Sequence, residues 1–183
     1  EERGPEDILR VDNLFRERLG WPLRGEHMVQ PWTLPDKEPE EHTLQLRFSV
    51  MADISVAGAK LALEQPGYAQ IFVNGARVAA EPDGFYVDPQ IRTIPLPELR
   101  AGENEIVLKI RFRHKSNVEN CYLLGSFGVR AAGRYARLVR PPEKLVFGDV
   151  AAQGLPFYAG NVVFRCPFAL ERPARKAVLE IPL

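Results

Sequence analysis

The chain has 183 residues, enough for one ordinary domain or for one domain with part of another. Its 24 Lys and Arg balance 24 Asp and Glu, so it lacks the long-range field that draws nucleic acid or anionic membranes, and neither is an expected main partner. With 45% apolar and 26% charged residues it is not a disordered chain, and no apolar run approaches the roughly 20 residues of a membrane span.

The start, Glu1-Glu2-Arg3-Gly4, is charged, with no initiator Met and no apolar signal segment after it, so the expectation is an excised fragment. Residues 5–19 predict a helix, with Ile8, Val11, Phe15 and Leu19 at spacings of three and four. Pro5 suits the first turn, Glu6 and Asp7 complement the positive end of the dipole, Arg16 and Arg18 the negative end, and Gly20 and Pro22 stop it. Residues 21–42 read as a Pro-rich linker, because prolines remove ladder donors. Trp21 and Trp32 within it need a surface to cover, either a neighbouring domain or the face of a sheet.

From residue 43 the period changes to two. Leu44, Leu46, Phe48 and Val50 alternate with polar residues, as in a half-buried strand. Residues 59–64 form another strand, and Ile71–Val78 a hairpin whose Asn74-Gly75 tolerates the positive φ of a type I′ turn. Ile94-Pro95-Leu96-Pro97 predicts an edge or irregular strand and Ala101–Asn104 a turn. Ile106, Leu108, Ile110 and Phe112 then alternate with charged neighbours, and strands follow near 127–131 and 134–140. Short strands at such spacing predict an all-β fold, an antiparallel β-sandwich with one short N-terminal helix. After Pro141-Pro142, strands are expected near 161–169 and 176–182. Residues 142–183 either close the first sandwich or start a second, truncated one; about forty residues rarely fold alone.

The search for chemistry is mostly negative. His27, His42 and His114 lack zinc-ligand spacing and read as surface residues. Cys121 and Cys166 are too few for a disulfide framework and read as buried free thiols. Leu124-Gly125-Ser126-Phe127-Gly128 is not a nucleophile elbow, so Ser126 belongs to a strand-entry bend. Loop acids such as Asp83, Asp88, Glu119 and Asp149 could supply the pair that glycoside cleavage needs, but with 24 acids they are expected by chance and as turn caps. No catalytic residue is assigned.

Three polar–aromatic clusters between strands are more informative: 83–88, 117–122 and 153–161. A flat apolar face beside planar donors and acceptors is what sugar recognition needs. The competing reading has Tyr and Phe plug the sandwich while Asn and Asp satisfy turn backbones.

The order Asn74-Gly75, Asp83–Val87, Ile94–Pro97 and Gly102–Ile110 resembles the sugar-binding, galactose-binding-like jelly-roll domain of family 2 glycoside hydrolases. With Gln30-Pro31-Trp32, Leu61–Glu64, Glu119–Gly125 and Gln153–Tyr158, the run over about 28–165 is similar to large bacterial glycosidase-like proteins related to family 106 rhamnosidases. The resemblance implies a non-catalytic accessory module, with the catalytic acids in a separate barrel domain. Gln153–Tyr158 resembles the opening of a second sandwich. If sugar binds, Tyr86 and Tyr122 would stack on it, while Asp83, Asp88, Asn117 and Glu119 would hold hydroxyls. The alternative is a structural module that docks the other domains of a parent protein through Trp21, Trp32, Phe157 and Tyr158, and that self-associates when isolated. A third class is a self-sufficient hydrolase, with two carboxyls in one cleft. No cofactor is expected; a structural calcium would suit such a fold, but no dense Asp-rich loop is present.

Overall fold

The computed structural model describes residues 2–25, 30–35, 41–133, 135–158, 160–173, 175–178 and 180. The chain divides into two compact units, Glu1–Ser126 and Phe127–Leu183.

In the first unit one α-helix, α1 (Ile8–Leu19), precedes the strands. Asp7 caps it, its Oδ1 accepting from the Leu9 and Arg10 backbone N–H groups, so Pro5 lies before the helix rather than in its first turn. Gly20, at φ 66°, ends it in the left-handed conformation. The strands are β1 (Glu41–Ala52), β2 (Lys60–Glu64), β3 (Ala69–Val73), β4 (Ala76–Val78), β5 (Gly84–Tyr86), β6 (Asp88–Pro95), β7 (Gly102–Arg113) and β8 (Tyr122–Leu124). They make two antiparallel sheets, in the orders β4-β3-β7-β1 and β5-β6-β2-β8. The protein is thus an all-β sandwich with one short helix.

Alternation decides which side chains enter the core. On β1 and β7, Leu44, Leu46, Ile106, Leu108 and Phe112 are buried, while Gln45, Arg47, Lys109 and Arg111 face outward. Leu46 lies opposite Leu108 and Leu44 opposite Ile110, so one register carries the whole apolar set inward. The β3–β4 hairpin turns on Asn74 (φ 50°) and Gly75 (φ 83°), the two positive values of a type I′ turn.

Ile94–Pro97 is locally an edge and irregular, as expected: β6 pairs with both β5 and β2 as far as Thr93, but Ile94 and Pro95 pair with β2 alone and Pro95 is the last residue, so the missing N–H costs little. Gly102–Asn104 is not a free turn but the start of β7. Asn104 is fully buried there; its side chain accepts from the Arg100 N–H, donates to the Arg100 carbonyl and receives the Asn74 amide.

The helix departs most from its sequence reading. Its fully buried residues are Asp12 and Arg16, not its apolar stripe. Arg16, expected to complement the negative end of the dipole, turns inward. Its Nε donates to Asp12 Oδ1 at 2.6 Å, and its Nη atoms donate to the carbonyls of His114 (3.1 Å) and Ser116 (2.6 Å). Arg24 bonds Asp12 Oδ2 and the Val118 carbonyl, and it pairs with Glu119. The buried charges are tolerated because each meets an opposite charge or a backbone partner. The result ties α1 and residues 21–25 to the loop 114–119.

In the second unit β9 (Gly128–Ala132) and β10 (Tyr135–Val139) pair antiparallel. The strands expected at 161–169 and 176–182 are not formed among the described residues; 179 and 181–183 lie outside them. Instead, residues 146–158 fold on themselves. Gln153 donates to the carbonyls of Val146 and Asp149 and accepts from the Val146 N–H, while Phe147 and Phe164 pack at 4.6 Å.

Candidate functional site

The site begins with the parity of the second sheet. Gly84, Thr93, Ala62 and Tyr122 form one cross-strand row, so they share a face. It is opposite to the face of the buried Leu61 and Leu63 and is therefore the outer one. Yet Ala62 is fully buried and Thr93 nearly so. Side chains from the sheet edges must fold over them.

Tyr86 and Tyr122 are in place to do this. They start from opposite edges, β5 and β8, three strand steps or about 14 Å apart. Their ring centroids are nevertheless 5.4 Å apart, with planes inclined at 52°. Each side chain therefore leans inward over β6 and β2. Tyr86 is 36% exposed and Tyr122 40%, so the aromatic pair is partly open to solvent. Tyr86 is aimed by a tight reversal: it pairs with Asp88, and the single residue between them, Val87, has φ 61°. A β-branched residue is strained there, and Val87 is 82% exposed, so no packing offsets the strain. Asp88 stabilises the reversal by accepting the Gln90 N–H at 2.7 Å and is itself exposed.

The other expected hydroxyl-binding residues are spread more widely. Asp83 lies at the far end of β5, about 10 Å along the strand from Tyr86. Lys60 Nζ is 2.6 Å from its carboxylate, and Thr93 Oγ1 donates to it at 2.7 Å. The hydrogen bond from Lys60, then that from Thr93, holds its pKa below the usual carboxylate value. Asp83 thus ties β5 to its neighbours. Glu119 accepts from Arg24 and secures the loop entering β8. Asn117 donates to Glu64 Oε2 at 3.2 Å, while its Oδ1 is buried without a hydrogen-bond partner among the described residues.

Glu64 was missed by the sequence reading. Two residues beyond Ala62 on β2, it shares the outer face with Tyr122. The alternation Lys60, Ala62, Glu64 was the signal that could have found it. The platform is therefore Tyr86 and Tyr122 with the Glu64–Asn117 pair beside them; Asp88 follows Tyr86 closely in the chain, but along β6 it falls on the parity of inward-facing Ile94 rather than that of Thr93.

A recess of about 40 Å³ beside Asn117 lies between the sheets, lined by inward-facing Leu46, Leu63 and Leu108 together with Glu64, Val118 and Cys121. That is room for about three waters. Burial pushes the Cys121 thiol up to about 11. Both cysteines are free, but Cys166 is exposed rather than buried.

The four expected docking residues differ in setting. Trp21 is spent on its own unit: it stacks on Phe112 (5.7 Å, 11°) and meets the rings of His42 and His114 edge-on at 5.5 and 5.4 Å. This is the sheet-face alternative for that tryptophan, and it makes His42 and His114 half-buried cluster members rather than surface residues. His27 lies outside the described residues. Trp32 is 48% exposed in a single 3-10 turn, Pro31–Thr33. Phe157 is 73% exposed and Tyr158 50%, both in the second unit, where the Tyr158 hydroxyl donates to the Asn161 carbonyl.

Among the described residues no three His, Cys, Asp or Glu side chains gather as a metal site, and no helix is long and apolar enough to cross a membrane. No family model, curated protein or solved structure matches the chain.

Proposed function

We propose that this chain is a non-catalytic accessory β-sandwich of a larger glycoside hydrolase, of galactose-binding-like jelly-roll type, and that it binds or positions carbohydrate on the Tyr86–Tyr122 platform. The observation that carries the reading is the meeting of two half-exposed rings from opposite sheet edges. A sugar ring presents axial C–H groups that pack on such a face, while Glu64 accepts from its hydroxyls and the Asn117 amide can donate. The ordered motifs similar to family 2 and family 106 proteins favour the same reading.

The test is calorimetric titration of the chain with a panel of neutral oligosaccharides. Heat with at least one glycan, abolished by Tyr86→Ala and by Tyr122→Ala, supports the proposal. No heat with any glycan, or heat unchanged in both variants, rejects it.

A second reading, a structural interdomain module, has its own observation. Trp32, Phe157, Val163 and Phe168 are large apolar side chains left between 48% and 77% exposed. This reading expects the isolated chain to self-associate with rising concentration and Phe157→Ser to reduce that association; a strict monomer in sedimentation would count against it.

A further inference from the structure

The outer face of the other sheet carries an uneven distribution of charge that a net charge of zero conceals. The register places Arg77, Phe72, Val107 and Arg47 in one cross-strand row over β4-β3-β7-β1. Lys109 is one outward position farther along β7, and Arg111 one more. Arg77 and Arg47 are three strand steps apart, about 14 Å, and each outward step along β7 adds about 7 Å. These four exposed cations form a band across the sheet.

The band has a floor and two boundaries. Lys109 Nζ lies 5.0 Å from the Phe72 ring centroid, and the Arg111 guanidinium 5.7 Å from that of Tyr68, so both rings are covered by cations. Acids bound one end, Glu103 and Glu105, and a neutral ion pair, Glu41 with Arg113, bounds the other. An anion already occupies one corner, since the Glu2 carboxylate pairs with Arg47.

We propose that this band binds an anionic polysaccharide, a chain bearing uronate or sulfate groups, laid across the strands. The boundaries select the partner. A flat anionic membrane would press against Glu103 and Glu105, whereas a linear chain laid across the strands passes beside them. Single-stranded nucleic acid would need open rings for its bases, and Phe72 and Tyr68 are capped by cations, while competition with duplex DNA decides the remaining case. The proposal shares no residue with the tyrosine platform and stands or falls without it.

The test is binding of the full chain to immobilised heparin at low salt, with polygalacturonate, duplex DNA and phosphatidylserine vesicles as competitors. Wild type should bind and be released by salt. The triple variant R77Q/K109Q/R111Q, with an unchanged melting curve, should bind about a hundredfold more weakly, taking about fivefold per cation near an anionic surface. Glu2→Gln, which frees Arg47 without touching the sheet, should bind more tightly. Polygalacturonate should compete; DNA and vesicles should not. Absence of heparin binding, triple-variant affinity within about twofold of wild type, or displacement by DNA or vesicles as effective as by polygalacturonate would each overturn the proposal.

Discussion

Replacing Asp12 by Ala should unfold the first unit more readily than any truncation of its apolar residues on α1. Asp12 is fully buried and uses both carboxylate oxygens: Oδ1 accepts Arg16 Nε at 2.6 Å, and Oδ2 accepts Arg24 Nη1 and the Val118 N–H, each at 3.2 Å. Without it the Arg16 guanidinium, also fully buried, keeps two carbonyls and the Phe112 face but has no counter-ion. Breaking one partner out of a buried ion pair costs about 3–5 kcal/mol. For a unit of this size that is a fall in Tm of about 10–20 °C. The double variant Asp12→Leu/Arg16→Met removes both charges and fills the space, so it should recover most of the loss. Urea unfolding followed by Trp21 fluorescence reads the difference, because Trp21 packs on Phe112 beside the pair. A loss below about 1 kcal/mol in Asp12→Ala, or a double variant worse than either single one, would refute the reasoning.

Other outcomes follow from the same geometry. Val87→Gly removes a left-handed β-branched residue and should raise stability by about 1 kcal/mol, seen as a higher urea midpoint, while loosening the aim of Tyr86. Asn104→Leu strands the Arg100 N–H and carbonyl in a buried setting and should cost about 2–4 kcal/mol in the same assay. The Asp83 carboxyl should titrate below the usual carboxylate range by NMR and move back up in Lys60→Met, with the Lys60 hydrogen bond lost. Because its folded pKa is depressed, its stabilising contribution is present above the usual carboxylate range and lost as pH falls through the lowered value. Ellman's reagent near pH 8 should label exposed Cys166 quickly and Cys121 slowly, since burial pushes that thiol up to about 11.

Much of the sandwich is legible in period two. Leu44 to Val50 and Ile106 to Phe112 show their inward sets directly, and Asn74-Gly75 shows the hairpin, since few pairs tolerate two positive φ values. The interior place of β6 is not legible, because Pro95 weighs against it locally and only the pairing partners reveal that the proline ends the strand. The buried Asp12–Arg16 pair is hidden for a similar reason: at spacing four it looks like an exposed helical ion pair, and its partners at 114–118 are about a hundred residues away. The candidate site divides likewise. Tyr86 and Tyr122 stand out as aromatics in loop-like clusters, whereas Glu64 emerges only when β2 is placed beside β8. Asp83 and Glu119 look equally suited to hydroxyls until Lys60 and Arg24 are seen to hold them.

The most direct measurement is the NMR response of the Tyr86 and Tyr122 ring protons to added oligosaccharide. A binding glycan should shift both rings together and saturably, with the neighbours of Glu64 following. Binding that leaves both rings unmoved, or a panel in which no sugar moves either, would contradict it.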